Sequence, residues 1–435
     1  MGSDKGDGVN IPDHCLRLCN SVFLVGSWQR LALLQAVRQN IYVLICTGMK
    51  RGVHPLRRQY FITGSAMVFI RKGTCHLLYA YDIGTAINLS LCPERLTSLG
   101  RTKISDRNRR APKYFDYDPP PLTIIHEASL PGIGKHEVSS PVSMTFYDFG
   151  AVSISYEIDF AGSLEDLRNL SIEIAQNNIL LLDSRNRVSD ILQALGNAVE
   201  QPSVAAPVED YALFEVREFE LICPADALPQ EYGAFLAQIL RAEIQDLSEQ
   251  EITDALTCRI TYGQDDLTLI DWNAALVFDR EAEDIRSVLE FANVELLELR
   301  FLDHQLDASL DLAYELTSRM PGNTRWLPGW AVRTIRQISQ MQLEGAILFE
   351  RVSNAPKLLG DQFLARVYRL AAQRFHFSEL NASILRKLDT LEDFYQQLNA
   401  TAAARRLEVL EWIIIILIAL SIIMPFIPGL MPFFH

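Results

Sequence analysis

Ala151 to Ile158 reads AVSISYEI, and its alternation decides the fold class. Successive β side chains point to opposite faces. Val152, Ile154, Tyr156 and Ile158 therefore share one face, and Ser153 and Ser155 share the other. A strand of this kind needs a sheet beneath it. The residues just before it read Tyr147-Asp148-Phe149-Gly150, and the same signature stands earlier as Tyr81-Asp82-Ile83-Gly84. Glycine after the aspartate suits a tight turn or a bulge. The pair reads either as two related strand–turn units or as a paired carboxylate site.

Working outward toward the N-terminus, the β pattern begins near Phe61. It continues through His76 to Leu91 with a turn near Gly84. Toward the C-terminus, Ser163 is placed to cap a helix, with Asp166 closing the capping box, running to about Asn178. A second helix is expected over Val188 to Val199, a strand over Tyr211 to Leu221, and helices over Gln230 to Glu243 and Leu247 to Leu256. Ser248 and Glu251 form a second box. Cys258 to Asp279 reads as strands Arg259 to Tyr262, Leu267 to Ile270 and Ala274 to Phe278. From Glu281, Ile285, Leu289, Ala292, Leu296, Leu299, Leu302, Leu306 and Leu310 keep helical spacing until Pro321-Gly322.

Phe363 to Ala402 alternates steps of four and three, with Phe377, Asn381, Ile384, Leu388, Leu391 and Leu398 on the seam. Such a 3.5-residue period suits a coiled coil, with polar Arg374 and Asn381 setting register. The same pattern also suits a long helix lying on its own domain. Residues 412 to 434 then read WIIIILIALSIIMPFIPGLMPFF without a charge. A helix of that length would cross a hydrocarbon core of roughly 30 Å. Trp412, Ile413, Ile416, Ile423 and Phe426 are expected to face membrane lipid. Arg405 and Arg406 just before the run predict a single-pass anchor in the inner cell membrane, with the bulk of the chain in the cytoplasm.

The expected class is thus α+β: a mixed N-terminal α/β region, a helical region, a long coiled-coil-like helix and a C-terminal transmembrane segment. The expected divisions are an N-terminal extension over 1–60, a β-rich region over 61–160, an α+β region over 161–280, a helical region over 281–411 and the anchor over 412–434.

A net charge of −14 disfavours general DNA or other nucleic-acid binding, because an acidic surface repels phosphates. One basic stretch runs against that average. Arg101, Lys103, Arg107, Arg109, Arg110 and Lys113 stand beside Tyr114, Phe115 and Tyr117, a composition that grips RNA or the ribosome, faces anionic lipid, or remains a solvated loop. The seven cysteines include no CxxC and read as reduced thiols. Asp265, Asp266 and Asp271 cluster in the hairpin, and Asp303, Asp307 and Asp311 line one helical stripe. Both sets carry enough carboxylate for a hard cation, and both also read as turn or solvated acids. Pro131-Gly132-Ile133-Gly134-Lys135 lacks the spacing of a phosphate loop. No catalytic residue, cofactor or metal is expected.

Several stretches appear together in order: AYDIGTAINL (80–89), APKYFDYDPPPL (111–122), YDFGAVSI (147–154), VEDY (208–211), DLTLIDWNAALVFD (266–279), VLEFANVELLELRFLD (288–303), GDQFLARVYRLAAQRFHF (360–377) and LEWIIIILI (410–418). With them the chain resembles the required-for-meiotic-nuclear-division family over roughly residues 75–424. The resemblance implies a C-terminal membrane anchor and no established enzymatic activity. Mitochondrial members of that family are linked to organellar translation and oligomerise at the inner membrane. The functional expectation is a non-enzymatic, membrane-anchored, homo-oligomeric scaffold. Its rivals are a metal-dependent hydrolase or nucleotide-binding enzyme using the carboxylates, and an RNA- or ribosome-contacting adaptor.

Overall fold

Strand β1 (Phe69–Asp82) organises everything around it, because both of its edges are paired along most of their length. It lies antiparallel to β6 (Ala151–Ser163) on one side and to β8 (Glu209–Phe219) on the other. A computed structural model describes residues 68–96, 102–104, 119–127, 130–220, 227–319 and 361–423, with isolated helical positions between 333 and 350. Beyond β6 come β5 (Ser139–Phe146), β4 (Leu122–His126) and β3 (Thr102–Ile104). Beyond β8 come β11 (Ala274–Phe278), β10 (Leu267–Ile270) and β9 (Arg259–Ile260). The nine strands run in the order β3-β4-β5-β6-β1-β8-β11-β10-β9. Only β8 and β11 are parallel, and the others pair antiparallel. Two short strands, β2 (Ala86–Ile87) and β7 (Val199–Glu200), pair apart from the sheet.

Both faces of this sheet are covered. Cys75, Leu77, Tyr79 and Tyr81 join Val152, Ile154, Tyr156 and Ile158 in a core closed by α2 (Leu164–Ala175), α3 (Ile179–Leu195) and α4 (Leu228–Arg241). A short helix, α1 (Cys92–Leu96), closes the same side. Leu78, Ala80, Ala151, Leu213 and Val277 face the other way, onto α6 (Glu283–Arg319). Double coverage explains why every residue of β10 and β11 is buried, giving near-continuous apolar runs. It also buries Ser153 and Ser155, on the β6 face opposite Val152 and Ile154.

Helix α6 is the second hub. From Phe291 to Leu299 every residue is buried, because the sheet covers one side while α7 (Gln362–Arg374) and α8 (Phe377–Ile423) cover another. Burying a leucine contributes about 1.5–3 kcal/mol, so this contact holds the helical layer on.

Most expected elements form with shifted ends. Helix α2 has the Ser163–Asp166 capping box but stops at Ala175. The second helix begins at Ile179 rather than Val188, with the Asn177 side chain accepting from the Ile179 amide. Helix α5 (Glu249–Ala255) is capped by Ser248 as the spacing predicts.

Two expectations are overturned. The 3.5-residue pattern from Phe363 onward is not one continuous coiled coil. Helix α7 ends at Arg374, and His376 has a positive φ of 53°, so the chain turns before α8 begins. The transmembrane segment is also corrected: among the described residues no helix is long and apolar enough to cross a membrane. The described apolar run, 412–423, rises only about 18 Å against roughly 30 Å of hydrocarbon. Arg406, Glu408 and Glu411 occupy the turns just before it. Residues 424–434 of the expected anchor, Phe426 among them, lie outside the described residues.

Candidate functional site

The hairpin carboxylates are used for structure. Asp266 accepts the backbone N–H of Tyr262 at 2.6 Å and also that of Gly263, which closes the turn. Asp271, 2% exposed, sits between two guanidinium groups. Arg374 of α7 reaches it with Nε at 2.7 Å, and Arg241 of α4 reaches it with Nε at 3.2 Å. Arg374 extends at 2.8 Å to Asp254 on α5, and Arg241 at 2.6 Å to the same carboxylate and also to Glu251. Four elements are thereby tied by one charged knot. The hydrogen bonds from Arg374 hold the Asp254 carboxyl below the usual carboxylate range. Arg374, assigned from the sequence to a coiled-coil seam, is a buried ion-pair partner.

The stripe on α6 behaves the same way. Lys387 of α8 pairs with Asp303 at 2.8 Å and Asp307 at 2.7 Å, and Ser383 donates to Asp303 at 3.0 Å. Asp311 remains exposed. Among the described residues no group of three or more His, Cys, Asp or Glu can hold a metal ion. Cys75, Cys92 and Cys258 are free and buried.

A third cluster gave no signal in the sequence. His76 of β1 lies 3.2 Å from Glu215 of β8 and 3.5 Å from Glu157 of β6, and Arg286 of α6 stands 3.1 Å from its Nε2. Burial raises the Glu215 carboxyl, but hydrogen bonds from His76 and Arg217 outweigh this and bring it down to about 2. It is therefore a buried carboxylate paired with cations, a structural arrangement.

An open cleft of about 320 Å³ lies beside the β8–β11 crossover, between α2, the start of α3 and the end of α4. Asn177, Asn178, Asp210 and Asn273 supply its polar wall. Arg241 also lines it, but its guanidinium is committed to Asp271, Asp254 and Glu251. Ser171 donates its hydroxyl to the Arg168 carbonyl at 2.8 Å. The cleft pairs no activated nucleophile with a base.

The expected seam is divided. Phe377, Ile384 and Leu391 are buried against α6 in the core, Leu388 is partly buried there, and Asn381 is half-buried with its Oδ1 lacking a hydrogen-bond partner among the described residues. The side chain of Leu398 lies outside the described residues. Leu391→Asp should therefore unfold the helical layer rather than merely separate subunits. A charge placed in a fully buried site, in place of well-packed leucine, costs several kcal/mol. Circular dichroism melting checks this, and an unchanged melt would show the residue to be dispensable to the core.

The end of α8 is different. Leu407, Leu410 and every apolar residue described from Trp412 to Ile422 except Ala419 are 47–63% exposed, on all sides of the helix. The expected lipid-facing Trp412, Ile413 and Ile416 belong to this patch, and the side chain of Ile423 lies outside the described residues. A contiguous exposed apolar surface of this sort marks an interaction site. In the basic stretch, Lys103 falls on β3, while Arg101, Arg107, Arg109, Arg110 and Lys113 lie outside the described residues.

Two comparisons with known proteins bear on this arrangement. A family model described as the N-terminal domain of uncharacterized protein MJ0711 matches residues 72–284, from β1 to the start of α6. The uncharacterized protein MJ0711 of Methanocaldococcus jannaschii is 22% identical over 219 residues. That alignment covers 50% of this chain and 66% of the relative. No solved structure matches. The family-model match thus spans most of the sheet and ends at the start of α6. Neither match names the required-for-meiotic-nuclear-division family.

Proposed function

We propose that the protein is a non-enzymatic, self-associating scaffold, in which the sheet module is carried on α8 and copies join through the exposed apolar end of that helix. The observation that supports this is the run Trp412 to Ile422, exposed on every side of a helix whose first half is docked on α6. An all-round apolar helix is stable in water only when other helices surround it. A second copy supplies the same surface, so helices packed side by side in a symmetric bundle cover the apolar faces turned toward one another. The engagement of Asp271, Asp303 and Asp307 with Arg and Lys favours this reading over the metal-dependent enzyme.

Light scattering on the full-length protein tests the proposal. The wild type should have a multiple of the monomer mass, and Ile414→Glu with Leu417→Glu should reduce it to the monomer with unchanged circular dichroism. A monomeric wild type would sink the reading, as would a variant that keeps the multimer. Binding to lipid vesicles by a protein that stays monomeric would also reject it, by giving the patch another cover.

A further inference from the structure

The register of the sheet itself makes the cleft beside the β8–β11 crossover. Tyr79 of β1 stands opposite Asp210 of β8, and Leu77 stands opposite Ala212. Ala212 in turn stands opposite Ala274 of β11. Residues two apart on a strand share a face, so Asp210, Ala212 and Phe214 lie on the face of Leu77 and Tyr79, the one that α2, α3 and α4 cover. The next pair along that face is Phe214 with Leu276. Two adjacent alanines beside this bulkier pair leave a hollow. Ile174 of α2, Leu181 of α3, and Ile239 and Leu240 of α4 wall the hollow without closing it.

The rim is polar, and its free charge has one sign. Asn177, Asn178 and Asn273 bring carboxamides to it. Asp210 is exposed, and no hydrogen bond or ion pair engages its carboxylate among the described residues. Burial, and then the Asp210 charge, hold the Tyr79 phenol above its usual range, so Tyr79 stays neutral beside that carboxylate. Arg241 is the cation of the lining, and Glu251, Asp254 and Asp271 hold its guanidinium. Counted with Arg374, that knot sets three carboxylates against two guanidinium groups. The wall therefore attracts positive charge and keeps no free cation for an anion.

We propose that this cleft binds a small organic cation, a primary amine on a compact apolar body. The ammonium pairs with Asp210 and donates to the asparagine carboxamides, and the apolar body lies in the hollow over Ala212 and Ala274. An ammonium has three donors and no acceptor, which matches a rim of carboxylate and carbonyl oxygens. A volume of about 320 Å³ is at the lower end of small-ligand sites and suits a single ring or a short chain. None of the lining residues belongs to α8, so the site is independent of self-association through that helix.

Calorimetric titration of the full-length protein at neutral pH with benzylamine, benzyl alcohol and benzoate tests this, because the three share a ring and differ in charge. Benzylamine should bind saturably at millimolar concentration or below, benzyl alcohol more weakly, and benzoate not at all. Asp210→Asn keeps the shape of an exposed side chain and removes its charge, and it should weaken benzylamine by about tenfold or more. Ala212→Leu, which fills the hollow, should block benzylamine altogether, with circular dichroism as the folding control. If that variant does not fold, Asp210→Asn decides alone. The absence of saturable benzylamine binding overturns the site. Equal affinity for benzyl alcohol or benzoate overturns the choice of a cation, as does benzylamine binding that is unchanged in Asp210→Asn.

Discussion

Gly150→Ala should abolish the folded state or come close to it. Gly150 has φ of 109°, outside the regions an alanine adopts readily, and its added Cβ would collide with the carbonyl oxygen of Gly84. That oxygen belongs to backbone, so no side chain can swing aside. Its position is held by the Ile83–Gly150 hydrogen bond and by the β1–β6 ladder. Strain of this type costs about 1–3 kcal/mol by itself, and the collision adds to it. We expect a total above about 4 kcal/mol, at the exceptional end for one substitution. Urea denaturation followed by tryptophan fluorescence gives the number, and a midpoint within error of wild type would show that the two turns do not need this approach.

Arg374→Ala should be nearly as damaging, for an electrostatic reason. The guanidinium is the closer of two cations on the buried Asp271, at 2.7 Å against 3.2 Å for Arg241. Removing it leaves the buried Asp271 with only the more distant Arg241, at a cost approaching the about 3–5 kcal/mol of breaking a buried pair. Arg374→Lys should recover only part, because an ammonium cannot hold Asp271 and Asp254 together as the planar fork does. Asp254→Ala, which removes a half-exposed partner, should cost about 1 kcal/mol or less. Equal effects of Arg374→Ala and Asp254→Ala would mean that burial of Asp271 is not what makes the knot matter.

Much of the local structure was readable because its causes are local. The alternation over Ala151 to Ile158, the box at Ser163, the cap at Ser248 and the Asp266 turn depend on neighbours within a few residues. The Tyr-Asp-x-Gly repeat could be read as a pair, but not the fact that its two turns touch. His76, Glu215 and Arg286 were invisible for the same reason: β1, β8 and α6 bring them together and no spacing links them.

The 3.5-residue seam shows the limit from the other side. Its period is present in the residues, but a period cannot say which surface will cover it. The unbroken alternation of four and three argued for one helix through His376, and a single left-handed residue broke it. The break lets α7 and the start of α8 both lie on α6, which spends Phe377, Ile384 and Leu391 on the chain's own core.

The sequence by itself determined the strand and helix types, the capped helix starts, the β9–β10 turn and the apolar character of the run after Trp412. Each follows from backbone sterics, short-range hydrogen bonds or side-chain hydropathy, which act over a few residues. Only the tertiary structure decided that both faces of the sheet are covered, that Arg374 answers Asp271, that the Gly84 and Gly150 turns touch, and that half of α8 is docked while its apolar end stands exposed. Those outcomes depend on which surfaces meet, and distant segments settle that by competing to bury apolar area and to pair buried charge.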